Sequence, residues 1–234
     1  MAFDRRLLTL SARQLDPLTW FTGPFVPLVF AAVNLLYGSV LSIITWNASE
    51  NPVLQFLGVA LCSTACIVVH FLTRPRFPTI GWGVGAIALT IAGTGFVLSA
   101  FGYAGSAIAI EIWWAPFGLA LAIASLGPYL PARTVLVLGF SCLIVVTPIA
   151  FAEIYPRVPF WGPVSAYLIM ISPLISAILA TTTFSVVVAA RMIPLIDRRS
   201  QVVVAAVPDA AAGEVERVRV AQLTARAAPF KLCA

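Results

Sequence analysis

Residues 77–110 read FPTIGWGVGAIALTIAGTGFVLSAFGYAGSAIAI, without a single Asp, Glu, Lys or Arg. A helix needs about 20 apolar residues to cross the ~30 Å hydrocarbon core of a bilayer. The stretch holds one such run, Ile80–Phe101. In lipid the run must be helical, because a helix satisfies its backbone N–H and C=O groups within one segment. Small residues at Gly81, Gly85, Ala88, Ala92, Gly95 and Ser99 recur at spacings of four and three. That period places them on one face and predicts close backbone packing at the centre of a bundle.

Outward from this stretch, five further runs have the same character: Phe25–Thr45, Val53–Leu72, Ala115–Leu130, Thr134–Phe151 and Pro163–Ala190. Charged residues fall only between runs. Over all 234 residues, 61% are hydrophobic and 10% charged, against ~25% charged in soluble domains. A single soluble domain is excluded, and so is disorder over most of the chain. The fold class is all-α: a polytopic integral membrane protein, with a bundle of six transmembrane helices as the expected form.

Arginines set the orientation. Arg5, Arg6 and Arg13 precede the first run; Arg74 and Arg76 follow the second, Arg133 the fourth, and Arg191, Arg198 and Arg199 the sixth. The alternate gaps hold Arg157 as their one basic residue, with Glu50, Glu111 and Glu153. By the positive-inside pattern both termini are cytoplasmic and the location is the plasma membrane. The tryptophans agree when read as interfacial anchors: Trp20 and Trp82 at inner ends, Trp46, Trp113, Trp114 and Trp161 at outer ends. The chain divides into a cytoplasmic N-terminal segment (1–22), a transmembrane domain (23–191) and a cytoplasmic tail (192–234). Phe3, Leu7, Leu8 and Leu10 alternate with Arg5 and Arg6, which fits either an amphipathic helix on the inner leaflet or a disordered basic segment.

Intramembrane polar residues are few. Asn34 is the strongest candidate for a ligand contact, because an amide in hydrocarbon needs a partner. On the outer side Glu111, Glu153 and Arg157 lie near Trp113, Trp114, Tyr155 and Trp161, a charged set beside an aromatic rim that suits a polar ligand. Cys62, Cys66 and His70, at i, i+4 and i+8, share one helix face and are the available metal or haem ligands. One His with no acidic partner leaves that shell incomplete, so packing cysteines and an interfacial His are expected, with no metal and no cofactor. Pro148 and Pro173 remove helix hydrogen bonds and predict bends.

Phosphate-binding, nucleophile-elbow and zinc-protease motifs are absent. With one His and no intramembrane carboxylate, the expectation is no catalytic residue and no enzymatic activity. The expected partners are the lipid bilayer and either a cytoplasmic output protein or further copies of the chain, with no nucleic acid.

After Asp197-Arg198-Arg199 the tail turns Ala-, Val-, Glu- and Arg-rich. Asp209 after Pro208 reads as a helix start, and Glu214/Arg217 and Glu216/Arg219 form supporting i,i+3 pairs. Six tightly looped helices, the Asp-Arg-Arg boundary and Glu216–Phe230 (ERVRVAQLTARAAPF) resemble the membrane half of actinobacterial multi-pass sensor histidine kinases. The resemblance implies a sensory module that passes a bundle rearrangement through the sixth helix to a cytoplasmic output. The tail has no His and the chain no ATP-binding glycine boxes, so the resemblance implies either a truncated sensor or an output on another chain. Two other readings stand beside it: a solute-binding or transport subunit for an uncharged small molecule, acting with a partner, and a membrane scaffold without ligand.

Overall fold

The computed structural model describes residues 6–15, 22–73, 81–103, 112–157 and 162–227; at Arg6, Arg157 and residues 202–227 it describes the backbone alone. Trp20, Arg74, Arg76, Glu111 and Trp161 lie outside the described residues.

The described elements are all helical: α1 (Arg6–Thr9), α2 (Ala12–Leu15), α3 (Val26–Ile44), α4 (Pro52–Leu72), α5 (Trp82–Phe101), α6 (Ala115–Leu126), α7 (Ala132–Ile154) and α8 (Pro163–Ala227), with 3-10 turns at Trp46–Ala48 and Tyr155–Arg157. Prolines start several of them. Pro27, Pro52 and Pro116 sit in the first turns of α3, α4 and α6, where a missing N–H costs nothing. Asn51 caps α4 by accepting from the Leu54 N–H at 3.4 Å.

Five helices, α3, α4, α5, α7 and the Pro163–Gln201 part of α8, are long and apolar enough to cross a membrane. The fourth run differs from expectation. Its helix stops at Leu126 and has 12 residues, ~18 Å of rise. Pro128 supplies no N–H to continue the helix, and the chain turns instead, with the Tyr129 and Leu130 N–H groups donating to Leu126 at 3.0 and 3.1 Å.

The residues that flank α6 nevertheless touch opposite ends of the bundle. At its start the Trp114 indole N–H donates to Gln55 Oε1 at 2.8 Å, near the beginning of α4, and Trp113 donates to Ser99 Oγ at 2.7 Å, near the end of α5. Beyond its last residue, the Tyr129 hydroxyl donates to the Gly23 carbonyl at 2.6 Å, just before α3. These contacts define a Trp114 end and a Gly23 end. The helices α3 to α8 pass between them in alternation: Gly85 of α5 meets Leu130 and Leu138 near the Gly23 end, and Gly93 meets Val146 further along, so α7 runs parallel to α5. Returning antiparallel, α8 meets Thr147 with Tyr167, Gly139 with Ile178 and Gly127 with Thr181.

Ten of the 12 residues of α6 are buried, which makes it the central helix. The small-residue face of α5 is buried from Gly85 onward and packs closely against α4: a Cβ built on Gly58 would lie 2.6 Å from the Gly95 carbonyl oxygen. Trp113 and Trp114 belong to this interior and not to an outer aromatic belt, since both are buried with their N–H groups bonded. Trp46 and Trp82 are exposed.

Within the N-terminal segment the described residues 6–15 hold the two one-turn helices α1 and α2, and Ser11, Ala12 and Leu15 are buried. Residues 1–190 and 191–234 form two compact units. The second contains the later part of α8, which continues through Pro208 where the sequence predicts a new start. A proline deletes one backbone bond, and alanines on both sides of it (Ala205, Ala206, Ala210, Ala211 and Ala212) favour helix.

Candidate functional site

Asn34 lies deep in the α3–α4–α6 contact and is fully buried. Its amide N–H groups donate to Ser63 Oγ at 2.9 Å and to the Val59 carbonyl at 3.3 Å. Its Oδ1 has no hydrogen-bond partner among the described residues and faces Gly118, where a Cβ would stand 2.6 Å away. With α6 packed this tightly against its oxygen, Asn34 ties α3 to α4.

Gln55, in the apolar run of α4, makes the other interior amide junction. It accepts from Trp114 and donates to the Ser99 carbonyl at 2.7 Å. The sequence signal for it is the one that marks Asn34, an amide inside an uncharged run.

Cys62, Cys66 and His70 separate by environment. Cys62 and Cys66 are buried, with the Cys62 thiol directed at the Ala92 carbonyl of α5 at 3.5 Å. His70 is half-buried, and its Nδ1–H donates to the Pro24 carbonyl at 2.5 Å. Among the described residues no three His, Cys, Asp or Glu side chains gather around one point. Cys142, a free thiol, points toward the Leu89 carbonyl.

Concavities open on the flanks of the bundle among the described residues. One, of about 490 Å³, lies between α5 and α7 and is lined by Thr90, Gly93, Thr94, Ser141, Cys142 and Val146 among others. Its two threonine hydroxyls are used on their own helix: Thr90 donates to Ala86 and Thr94 to Thr90, each at 2.8 Å.

Another, of about 630 Å³, lies between α7 and α8 toward the Trp114 end. Pro148, Phe151, Ala152, Tyr155, Pro163, Val164, Tyr167 and Leu168 form its walls. Three rings are stacked along it. Phe151 meets Tyr167 edge-on with centroids 5.0 Å apart, and meets Tyr155 at 5.8 Å. The Thr147 hydroxyl donates to the Leu143 carbonyl at 2.6 Å. Its contact with the Tyr167 hydroxyl at 3.1 Å therefore has Tyr167 as donor, and the phenol oxygen remains an acceptor. Proline at 148 leaves the Ile144 carbonyl without its usual helical donor. The cleft is thus apolar and aromatic, with phenol oxygens as its polar features, which suits an uncharged ring- or chain-bearing molecule.

Of the sequence-derived ligand residues, Glu153 lies in the last turn of α7 and Arg157 in the 3-10 turn that follows, on either side of the cleft residue Tyr155. Asn34 is elsewhere, bonded to α4, and Glu111 lies outside the described residues. Phe151 and Tyr167 were not marked by the sequence, because aromatic residues in an apolar run read as lipid-facing or core until their neighbours are known.

No protein-family profile matches this chain, and neither does any curated protein or solved structure.

Proposed function

We propose that this is a six-crossing plasma-membrane protein with both termini in the cytoplasm, and that it works as a sensory module. An uncharged, largely apolar ligand enters the α7–α8 cleft from the lipid, shifts α8, and so passes the bundle's rearrangement to a cytoplasmic output partner. One observation carries this reading: α8 supplies Pro163, Val164, Tyr167 and Leu168 to the cleft and is the same helix that continues to Ala227 in the second unit. A ligand that prefers one α7–α8 arrangement selects it, and the helix leaving the cleft carries the difference. The resemblance to sensor-kinase membrane halves supports the same reading.

The six-crossing count is supported by the contacts that Trp113, Trp114 and Tyr129, on either side of α6, make with opposite ends of the bundle, and by the alternation of arginines. It is tested by thiol labelling of single cysteines placed at Ser106 and Arg133, which flank α6. Ser106 should label from outside and Arg133 only from inside; labelling from one side would leave five crossings. For the ligand step, Ala152→Trp fills the cleft without any added compound. Spin labels at the exposed positions Val137 and Val187, in a background without native cysteines, should change separation when the cleft is filled. An unchanged distribution would argue against a cleft that moves α8.

A further inference from the structure

At the Gly23 end the N-terminal segment is held by contacts that converge on one arginine. The Arg13 backbone N–H donates to the Pro128 carbonyl at 3.0 Å. Its guanidinium donates to the Thr73 carbonyl, which closes α4, and lies 5.3 Å from the Tyr129 ring centroid. Guanidinium satisfies a helix C-terminal carbonyl and stacks on an aromatic face at once. Tyr129 in turn bonds Gly23. One residue before Pro128, the Gly127 carbonyl accepts from the Ser185 hydroxyl of α8 at 3.2 Å. A Cβ on Gly127 would sit 2.7 Å from Thr181, so α8 and this turn touch without slack.

Neighbouring carbonyls of one turn are therefore gripped from two sides, Pro128 by the N-terminal segment and Gly127 by α8. We propose that Ser11–Leu15 is a releasable strap, and that its closed state, fixed by Arg13, holds the Gly127–Pro128 turn against α8. Two one-turn helices are far below the ~12–15 residues at which a helix becomes stable alone. The order of the segment thus derives from docking, through Arg13 and the buried Ser11, Ala12 and Leu15. Releasing Arg13 frees the Thr73 and Pro128 carbonyls together and loosens the turn on which Ser185 depends. This goes beyond the sensory reading and does not require it: the strap controls α8 from the end opposite the cleft, whether or not a ligand occupies that cleft.

Amide hydrogen exchange on the full chain in lipid nanodiscs tests the strap. In the parent, peptides covering 7–15 and 181–190 should both be protected. Arg13→Ala should speed exchange in both by about tenfold or more, the loss expected for a hydrogen bond to a charged donor, while peptides of the α4–α5 core stay protected. Faster exchange at 7–15 with 181–190 unchanged would overturn the coupling, and unchanged exchange at both would overturn the strap. If Arg13→Ala loses core protection, Ser185→Ala approaches the same turn from the α8 side. Coupling is reciprocal, so that variant should raise exchange at 11–15, and protection there equal to the parent's would overturn the proposal.

Discussion

The Trp114 indole N–H points at Gln55 Oε1 across 2.8 Å, at a place where both side chains are buried. The same Gln55 donates to the Ser99 carbonyl of α5, and Trp113 donates to the Ser99 hydroxyl. Three helix regions, the start of α4, the end of α5 and the start of α6, are thus joined by one amide. The junction fixes where the short central helix begins.

Gln55→Ala should therefore destabilise the bundle by about 1–3 kcal/mol, because it strands a buried indole donor. Trp114→Phe in the Gln55→Ala background should cost less than the two single changes added together, since the stranded donor is then gone. Thermal melting in detergent measures both; simple additivity would show that the two residues are not coupled.

Gly118→Ala should be costly, by about 1–3 kcal/mol, since the new methyl would stand 2.6 Å from Asn34 Oδ1 and 2.8 Å from the Trp114 ring. Asn34→Ala makes room for that methyl and removes an amide oxygen that has no partner among the described residues. The double variant should accordingly be more stable than the sum of the single losses predicts, again by detergent melting.

Gly58→Ala should weaken the α4–α5 contact, because the Gly95 carbonyl oxygen lies 2.6 Å from the added methyl and backbone yields less readily than a side chain. Gly83→Ala, with open space around it, should be neutral or slightly stabilising, since alanine is the better helix former. Equal melting temperatures for the two variants would mean that the backbones do not approach as closely as described.

The helices were legible because lipid imposes one rule on every crossing, and uncharged runs such as Val53–Leu72 report it directly. Their ends agree to within a few residues except where local chemistry intervenes. Pro128 stops α6 before the apolar run ends, and α8 continues through Pro208 despite the start signal there. Tertiary relationships were not legible. Nothing near Arg13 in the sequence points to a carbonyl at Thr73, and nothing near Trp114 points to Gln55, since such pairs have no period to detect. Of the residues singled out around the end of α7, Tyr155 lines the cleft, whereas Glu153 and Arg157 are not among its walls; Phe151 and Tyr167 acquire meaning only when α7 and α8 lie side by side.

The central claim is that the state of the cleft reaches the tail of α8. Spin labels at Val137, on α7, and at Val218, on the last part of α8, read it by pulsed dipolar distances in the cysteine-free full chain, with and without Ala152→Trp in the cleft. The account predicts a distance distribution that moves to a new maximum when the cleft is filled. A distribution with the same maximum and width in both would contradict it, because α8 would then carry nothing from the cleft to the output.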